Sequence, residues 1–519
     1  VQNVIGPKAP GSLGECLRAP GGAPHTFVGP AEYETDAGYS LKDIHNARVT
    51  GSIQPSAVVF ATEEAHVALA VSCAFRFGKP VYGRSGMNQY EASCAGTGAG
   101  CVVVDVNNMW EVGWPSSGCQ SGQSGCVASL GPGLSLGSAY FELSKRGYTI
   151  PAGACAWVRV AGLTLGGGQG WLMRKYGLLI DRLRAVDVVL LNGTKVRVDE
   201  NTEPHLFWLA RGGGGNIFPG VATAFHFELV PMPVSPATYS MEWAATKECR
   251  KTLPALWYER MAMHPDDDLF AKLWFSNSGQ PKVAIDVTYI GEDKRSAEEL
   301  LRAVGAASAC GAATRIQMTP NTTWTSVVLG ANDGDERIGA PGNNNCGWDL
   351  SGPTPRRTAC QGYDTSYANQ WASRSLVTGA GGRIPQGVWD ALAEDIMYNG
   401  YFVEIEPSNG FAGTVAKDAT AYPHRDPGSV TLQIVMASSG DISSVVHQSA
   451  ETMRAITAHV PRLGYYNYLD KNMHQYSGLP RDAYYGSNAD AVEACDVGEL
   501  VQHPDAPKTK KYPTGTGTK

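Results

Sequence analysis

Glycine is concentrated in one short stretch of this 519-residue chain, and this stretch restricts the fold more than any other feature. Five of the nine residues from Gly162 to Gly170 are glycine. Because glycine has no side chain, such a turn lets backbone N–H groups approach a phosphate closely. A second glycine-containing turn spans residues 84–93, and we expect a strand before each turn. Glycine-rich turns are structural more often than they bind ligands, so both interpretations stay open at this point.

Several function classes are excluded by motif and charge. Neither turn has the G-x-x-x-x-G-K-[ST] pattern of a nucleotide-hydrolysing loop, and neither is placed as in an NAD-binding fold. The chain has 42 Lys and Arg against 49 Asp and Glu, a net charge of −7. Binding to nucleic acid or to an anionic membrane requires a basic surface, so we expect neither partner. We also find no apolar run long enough to span a bilayer.

The cysteine count predicts an oxidising compartment. The chain has 12 cysteines, including three pairs that are close in sequence: Cys94/Cys101, Cys119/Cys126 and Cys346/Cys360. None has the C-x₂-C spacing of a zinc site, so disulfides are the favoured use. Sequons at Asn192 and Asn321 indicate a glycoprotein, and the start at Val1 without a leader suggests a processed N-terminus. We therefore expect a secreted, extracellular or endomembrane protein.

Alternating and helical apolar patterns predict a mixed chain. We expect a helix from an N-cap at Thr62 to Phe77, a second helix over Leu134–Arg146, and a long loop over residues 320–385. The predicted strands are Ala57–Phe60, Pro80–Tyr82, Cys101–Val106, Val127–Leu130, Leu183–Leu191, Thr194–Asp199, Tyr239–Trp243, Leu269–Phe275, Val283–Tyr289, Tyr401–Glu406 and Val430–Met436. The composition changes near Pro231, which indicates a domain boundary.

Several motifs together carry a family resemblance. They are Arg84-Ser-Gly-Met-Asn88, Gly153-Ala-Cys155 with Val158 and Gly166-Gly-Gly-Gln-Gly170, Leu206-Phe-Trp-Leu-Ala-Arg-Gly-Gly-Gly-Gly-Asn216, and Pro461-Arg-Leu-Gly-Tyr-Tyr-Asn-Tyr-Leu-Asp470 followed by Ala483-Tyr-Tyr-Gly-Ser-Asn488. In order and spacing they resemble the berberine-bridge-enzyme-like branch of the vanillyl-alcohol-oxidase flavoprotein superfamily, closest in type to its carbohydrate (oligosaccharide) oxidases. The resemblance covers roughly residues 50–230 and 400–490.

The resemblance implies an α+β fold of the vanillyl-alcohol-oxidase type with two domains. Residues 1–235 would form the first part of the FAD-binding domain. Residues 236–450 would form the substrate domain, with an antiparallel sheet over the flavin. Residues 451–502 would return to the FAD-binding domain, and residues 503–519 would be a flexible tail.

The resemblance also implies a set of FAD-binding residues: Arg84, Ser85, Gly86, Met87, Asn88, Gln89, Gly153, Cys155, Val158, Gly162, Gly166, Gly167, Gly168 and Asn467. Many members bind the flavin covalently through a His in the first loop and a Cys in the second. Here Asn88 occupies the His position, and an amide has no nucleophilic ring nitrogen. We therefore expect FAD to be covalent through Cys155 only. The alternative is that Cys155 is a structural disulfide or buried thiol.

Two tyrosines are candidates for the base that accepts the proton of a substrate hydroxyl while hydride passes to the flavin. Tyr465 in the Y-x-N-Y motif is the first candidate and Tyr468 the second. Both could instead be packing aromatics of a strand. The resemblance adds Gln433 as an active-site Gln. Gln169 and Thr431 stand where monolignol-oxidising members have Tyr and Lys, which argues against that chemistry and leaves Gln169 as a substrate contact.

One predicted strand carries two carboxylates on one face. The period of two puts Phe402, Glu404 and Glu406 on the same side. This resembles the strand of carbohydrate oxidases that presents an aromatic residue, a Gln and an acid to the sugar. We therefore list Glu406 as catalytic and Phe402 and Glu404 as substrate residues. A solvated sheet edge is an equally good explanation of the pattern.

These features lead to a functional prediction: a secreted FAD-dependent carbohydrate oxidase. Its substrates would be a small-molecule sugar, oxidised at the anomeric hydroxyl to a lactone, and O₂, reduced to H₂O₂. Val158, three residues after Cys155, occupies a position where small residues go with good O₂ reactivity in this family. The alternatives are a flavin oxidase or dehydrogenase of aromatic or alkaloid alcohols, and a catalytically idle flavoprotein that acts as a binding protein.

Overall fold

The computed structural model describes residues 10–29, 32, 55–86, 88–91, 100–116, 118–119, 123–215, 217–277, 280–330, 348–349, 356–357, 370–378, 383–395, 401–470 and 480–494. The predictions for Met87, Cys94, Cys346, Cys360 and the tail 503–519 lie outside the described residues. The described chain combines helices with parallel and antiparallel sheets, so the predicted α+β class is confirmed.

The first sheet is a small β-α-β layer. It contains β1 (Thr26–Val28), β2 (Ala57–Phe60), β3 (Val81–Arg84) and β4 (Val102–Asp105), in the order β1-β2-β4-β3. Strands β2 and β3 both pair parallel to β4, and the helix Glu64–Arg76 connects them. This helix begins one residue later than predicted, with Glu63 at the N-cap, because the Thr62 hydroxyl is 3.2 Å from His66 Nδ1 instead.

The second sheet is antiparallel and contains the two strands predicted on either side of Asn192-Gly193, a dipeptide that is typical of a tight hairpin turn. Its strands are β5 (Val112–Gly113), β6 (Val127–Leu130), β8 (Leu183–Leu190), β9 (Lys195–Val198) and β10 (Gly220–Glu228), and a separate ladder joins β7 (Tyr148–Thr149) to β11 (Val230–Pro231). Strands β8 and β9 pair antiparallel, as the sequence predicted.

The third sheet is the large wall of the molecule, with the order β15-β12-β14-β13-β19-β20-β18. Its strands are β12 (Ala237–Ala244), β13 (Leu269–Ser276), β14 (Lys282–Tyr289), β15 (Arg315–Thr319), β18 (Gln370–Val377), β19 (Tyr401–Pro407) and β20 (Val430–Ser438), and a short ladder joins β16 (Trp348–Asp349) to β17 (Arg356–Arg357). All its described pairings are antiparallel. The division of the chain at residues 235 and 450 stays a proposal.

Helices cover the sheets. The α-helices are Leu13–Leu17, Glu64–Arg76, Leu136–Ser144, Val160–Leu165, Met173–Tyr176, Pro204–Ala210, Lys247–Trp257, Lys294–Ala307, Trp324–Gly330, Gln386–Asp395, Ser443–Thr457, Pro480–Tyr485 and Ala489–Ala494. The alternate residues Val403 and Ile405 of β19 share a buried core with Leu253, Leu392 and Met453 from three of these helices. The apolar face of the large sheet is thereby covered, and its polar face is left to build a site. None of the described helices is long and apolar enough to cross a membrane.

Two local predictions are wrong. Residues 320–385 are not one loop, because the helix Trp324–Gly330 and the sheet strand β18 lie within them. The strand was missed because Ser373, Arg374 and Ser375 break the apolar pattern. Arg374 is nonetheless buried, since its guanidinium pairs with Asp470 at 2.6 Å and donates to Ser449. The turn at Gly166–Gly170 follows a helix, Val160–Leu165, and not a strand.

Disulfides occur as the sequence predicted. Three link Cys16 to Cys73, Cys119 to Cys126 and Cys249 to Cys310. One of them joins Cys119 and Cys126, which are close in sequence, and Cys101 is also disulfide-bonded. Among the described cysteines, Cys155 alone is free.

Candidate active site

The segment around Cys155 is held from both sides. The Tyr140 hydroxyl donates to the Gly153 carbonyl at 2.7 Å. Backbone N–H groups of Leu136 and Gly137 donate to the carbonyls of Val158 and Ala156, both at 2.9 Å. Cys155 itself is half-buried, as is Val158. The thiol therefore occupies a fixed position and is free, so of the alternatives to a flavin link the disulfide is wrong and the buried thiol stays open.

Most glycines of the following turn are required by close packing of the chain on itself. A Cβ on Gly166 would lie 2.0 Å from Oδ1 of Asn467, and a Cβ on Gly168 would lie 2.4 Å from Leu179. Gly167 has a φ of +125° and faces the ring of Tyr422. Gly162 differs from these three, because it is exposed and a Cβ there would meet nothing within 4 Å. Gly153 is buried, and a Cβ there would lie 3.4 Å or more from its nearest neighbours.

The first predicted FAD loop begins with an ion pair. Nε of Arg84 donates to Asp105 at 2.8 Å, and the Asp105 carboxylate also accepts from the Asn107 N–H at 2.9 Å. The guanidinium of Arg84 thus anchors the start of the loop to β4. A Cβ on Gly86 would lie 2.7 Å from both Arg159 and Asn88, which explains the glycine at this position. Ser85 and Asn88 are half-buried, and Gln89 accepts from the Tyr82 hydroxyl at 3.4 Å.

The polar face of the large sheet lies close to Cys155. Lys272 on β13 forms an ion pair with Glu404 on β19, with 3.1 Å between Nζ and Oε2. Burial raises the pKa of the Cys155 thiol to about 11, and the charges of Glu404, Lys272 and Glu406 also act on it. The β19 strand lies between β13 and β20, so the interpretation of its acidic face as a solvated edge is wrong.

Glu406 is the less exposed of the two acids that β19 contributes to this face. It is 9% exposed, and its carboxyl has no hydrogen-bond or ion-pair partner among the described residues. Burial is the main cause that raises the pKa of Glu406 to about 8, followed by the neighbouring charge of Glu404, while Lys272 opposes the shift. Burial thus favours the protonated form of Glu406.

An aromatic pair and an amide complete the wall. The rings of Trp274 and Phe402 are 5.9 Å apart and inclined by 31°, and both residues are half-buried. Nε2 of Gln433 donates to the hydroxyls of Ser373 at 3.0 Å and Tyr90 at 3.2 Å. Since Tyr90 belongs to the first predicted FAD loop, this contact joins that loop to the sheet.

The two candidate tyrosines have different environments. The Tyr465 oxygen accepts from the backbone N–H of Gly168 at 3.0 Å, the N–H of Gln169 at 3.2 Å and the amide of Asn467 at 2.8 Å. Tyr465 is 2% exposed, and burial raises its pKa to about 12 against the effect of these donors. Asn467 also donates to the Leu163 carbonyl at 3.0 Å, so within the described residues its amide positions Tyr465.

Tyr468 is half-buried, and its hydroxyl has no hydrogen-bond partner among the described residues. Its ring packs edge-to-face on Tyr465, with 4.9 Å between ring centroids. Burial raises the pKa of Tyr468 above its ordinary value, and the nearby charges of Glu404 and Glu406 act in the same direction. Of the two tyrosines, Tyr468 is the one whose oxygen is not already used by N–H donors.

Gln169 lies beneath this pair and is buried. Its Nε2 donates to the hydroxyls of Tyr422 and Thr431, each at 2.9 Å, while its Oε1 has no partner among the described residues. Thr431 in turn lies 2.8 Å from the Ser408 hydroxyl. The two residues that differ from the monolignol-oxidising pattern are therefore bonded to each other.

Sequence reasoning missed Lys272, Trp274, Tyr90 and Tyr140. The run Leu269–Phe275 was predicted as a strand, and its alternation puts Lys272 and Trp274 on one face. No local signal shows that this face lies beside Glu404, because the two partners are 132 residues apart.

The residues present fit a bound flavin. Cys155 offers a fixed free thiol, and the exposed Gly162 leaves open space on the helix that follows. A flat ligand can approach the backbone there without meeting a side chain.

Comparisons with known proteins agree with this assignment. Residues 55–199 match the family described as FAD binding domain. Berberine bridge enzyme-like 12 of Arabidopsis thaliana is 29% identical over 245 residues, which are 46% of this chain and 44% of that protein. Xylooligosaccharide oxidase of Thermothelomyces thermophilus is 28% identical over 276 residues, 52% of this chain and 49% of that protein. The matched part thus spans about half the length of these relatives.

The fold has a close structural counterpart. The structure of wild-type BBE-like 1 of Physcomitrella patens superposes with a TM-score of 0.78, covering 96% of this chain and all of that one, at 24% identity. The fold predicted from the motifs, of the vanillyl-alcohol-oxidase type, is confirmed.

Proposed function

Since the chain carries an FAD-binding domain and has the fold of the berberine-bridge-enzyme-like flavoproteins, we propose that it is an FAD-dependent carbohydrate oxidase. It oxidises the anomeric hydroxyl of a mono- or oligosaccharide to a lactone, and O₂ becomes H₂O₂. The observation that carries the proposal is the wall of Lys272, Glu404 and Gln433, with the Trp274–Phe402 pair, close to the Cys155 thiol.

FAD is held by the Cys155 segment, the open helix face at Gly162 and the loop that begins at Arg84. A single thioether to Cys155 attaches it, because Asn88 offers no second nucleophile. Bound FAD supplies a two-electron acceptor for the hydride of the substrate carbon. The chain supplies everything else: the orientation of the sugar, the removal of its hydroxyl proton and the exclusion of water.

A sugar suits this wall better than an apolar alcohol does. Hydroxyl groups donate well to carboxylates, and charge-assisted hydrogen bonds are stronger than neutral ones. The half-buried rings of Trp274 and Phe402 offer an apolar surface for the C–H face of a pyranose. A buried charged wall would instead leave polar groups unpaired against an apolar substrate, which costs free energy. That one relative is a xylooligosaccharide oxidase supports the same choice.

Tyr468 is our candidate for the group that takes up the proton of the anomeric hydroxyl, while its own hydroxyl proton passes to Glu406 in the carboxylate form. This reverses the order expected from the sequence, because the Tyr465 oxygen already accepts three N–H bonds. Tyr465 and Asn467 then act as positioning residues that hold Tyr468 by edge-to-face packing. Glu406 lies near Tyr468 and is the next group that can exchange a proton with it.

The disulfides support the view that the protein functions in an oxidising compartment. We propose that the protein is secreted and carries a glycan at Asn192, which is exposed at the tip of the β8–β9 hairpin. A shift in electrophoretic mobility after treatment with a glycosidase, lost in Asn192→Gln, tests the second part.

Anaerobic reduction tests the proposed reaction. Purified yellow protein is mixed under argon with a sugar panel and with a panel of aromatic alcohols, and the visible flavin absorbance is followed. We expect bleaching by sugars, then recovery on admission of air with one H₂O₂ per sugar oxidised. Bleaching by aromatic alcohols alone would identify an aromatic-alcohol oxidase or dehydrogenase. No bleaching by either panel would identify a flavoprotein without this activity.

A matched variant makes the test specific to the wall. Phe402→Leu removes the ring but keeps an apolar side chain of similar length on β19. If the ring supports the sugar, the KM for sugars should rise with little change in flavin reduction at saturation. An unchanged KM would show that the sugar does not contact this wall.

A further inference from the structure

We propose that Lys272 is a positioning residue that divides the charge of the two carboxylates on β19. Its ammonium holds Glu404 as the carboxylate and leaves the proton of the pair on Glu406. The site then presents one hydrogen-bond acceptor and one donor to neighbouring substrate hydroxyls. The choice of a sugar as substrate rests on the proposed function, whereas the charge assignment concerns the protein alone.

The geometry singles out one member of the pair. Nζ of Lys272 lies 3.1 Å from Oε2 of Glu404, and this ion pair is about four-fifths buried on both sides. Glu406 points to the same face two residues further along but forms no ion pair within the described residues. A buried carboxyl without a partner is more stable with its proton than without it, because the charged form loses its hydration.

Two charged groups act on Glu406 in opposite senses, since the charge of Glu404 favours the protonated form and the charge of Lys272 opposes it. Glu404 lies on the same strand as Glu406, whereas Lys272 lies on β13 and Asp286 on β14. The charges of all three acids, Glu404, Glu406 and Asp286, act on Lys272. Asp286 is held by two donors, Nε1 of Trp274 and the Ser240 hydroxyl, both at 2.6 Å. The charges of three acids thus act on one ammonium group, and its ion pair with Glu404 distinguishes that acid from Glu406.

The remaining titratable groups near Glu406 do not supply a cation. The charge of Glu406 influences Tyr465 and Tyr468 of the C-terminal segment and Cys155 of the predicted flavin segment. Tyr90 faces Glu404 from the first loop. All four are neutral at pH 7, because burial raises the pKa of each above its ordinary value. Lys272 is therefore the one cation that acts on the pair among the described residues.

The consequence is a pH dependence in the alkaline range. Below about pH 8, Glu406 is an acid and can donate a hydrogen bond. Above it, Glu406 becomes a carboxylate and can accept a proton from Tyr468. If proton removal uses this route, flavin reduction by a sugar should become faster as the pH rises through the apparent pKa of Glu406.

Infrared difference spectroscopy of the flavin-loaded, substrate-free protein tests the assignment without any substrate. At pH 7 we expect the carbonyl band of a protonated carboxylic acid that disappears in Glu406→Gln. The pH at which this band is lost gives the pKa of Glu406 directly.

Three variants separate the causes. Glu404→Gln removes a like charge and frees Lys272 for Glu406, so the pKa should fall by about 1–3 units. Lys272→Met removes the cation, so the pKa should rise by about 1–3 units. Lys272→Arg keeps the charge and should leave the value close to that of the wild type.

The outcomes are decisive in both directions. Opposite shifts in Glu404→Gln and Lys272→Met support the proposal. The proposal is overturned by the absence of a protonated carboxyl in the wild type at pH 7, or by a band that neither substitution moves. If Lys272→Met does not fold, the isosteric Glu404→Gln still decides. A failure to oxidise sugars would refute the proposed function but would leave the infrared result unaffected.

Discussion

Replacement of the two motif tyrosines by phenylalanine should separate stability from catalysis. Tyr465→Phe removes the acceptor of three N–H groups, those of Gly168, Gln169 and Asn467. Tyr468→Phe removes a hydroxyl that has no hydrogen-bond partner among the described residues. The two substitutions make the same chemical change, and both fall within the four-residue segment from Tyr465 to Tyr468. Each variant is therefore a matched control for the other.

The magnitude for Tyr465→Phe follows from the hydrogen bonds. A buried donor left without a partner costs roughly 1–3 kcal/mol. The Asn467 amide keeps its bond to the Leu163 carbonyl, so we count about 1 kcal/mol for each of the three lost bonds, about 3 kcal/mol in all. An unfolding entropy of about 2.1 cal/mol/K per residue converts this into a fall of about 3 °C in the thermal midpoint of the 519-residue chain.

Tyr468→Phe should have the opposite profile. The thermal midpoint should change by less than about 1 °C. Substitutions that remove no hydrogen bond or packing contact usually change the free energy of unfolding by no more than about 0.5 kcal/mol. The rate of anaerobic flavin reduction should fall by about 10²–10⁴, the usual contribution of a general base. Tyr465→Phe should lower the same rate by less than about tenfold, because Tyr465 affects the reaction only by positioning Tyr468.

Two measurements on each variant suffice: the thermal midpoint of the flavin-loaded protein and stopped-flow reduction by a saturating sugar. The reasoning is refuted if Tyr465→Phe abolishes reduction at an unchanged midpoint while Tyr468→Phe reduces flavin normally. In that case Tyr465 is the proton acceptor, as the sequence first suggested.

Further predictions concern attachment, oxygen and acid stability. Acid-precipitated protein should keep its yellow colour in the pellet, and Cys155→Ala should release all of it to the supernatant; colour retained by the variant would reveal another attachment residue. Val158→Leu should slow reoxidation by O₂ far more than reduction by sugar, because one added methylene fills a small void; equal slowing would mean that Val158 only packs. Burial lowers the pKa of His424 to about 4, and its Nε2 lies 2.9 Å from the Gly464 carbonyl. The unfolded chain therefore binds the extra proton first, and stability should fall by up to about 3 kcal/mol as the pH drops from about 6.5 to 4. His424→Gln should flatten this dependence of the thermal midpoint, and an unchanged slope would assign the acid sensitivity to other groups.

Local patterns in the sequence were sufficient for much of this protein. Alternation predicted β19 and the common face of Phe402, Glu404 and Glu406, because successive side chains of a strand point to opposite sides whatever surrounds it. The cysteine count predicted disulfides, and Cys119 and Cys126, which are close in sequence, form one of them. These features depend on residues that are near each other in the chain.

Only the tertiary structure decided which side chains meet. Alternation assigns a face to Lys272 but not a register, so its pairing with Glu404, 132 residues away, could not be predicted. The same limit hid β18, where buried Arg374 depends on Asp470 from the C-terminal segment. The same limit applies to the tyrosines, because our proposed change of their order rests on the N–H donors of Gly168 and Gln169, which come from nearly 300 residues earlier. The sequence gives the chemical type of each side chain. Its charge state and its unused hydrogen-bonding atoms depend on partners that only the folded chain brings together.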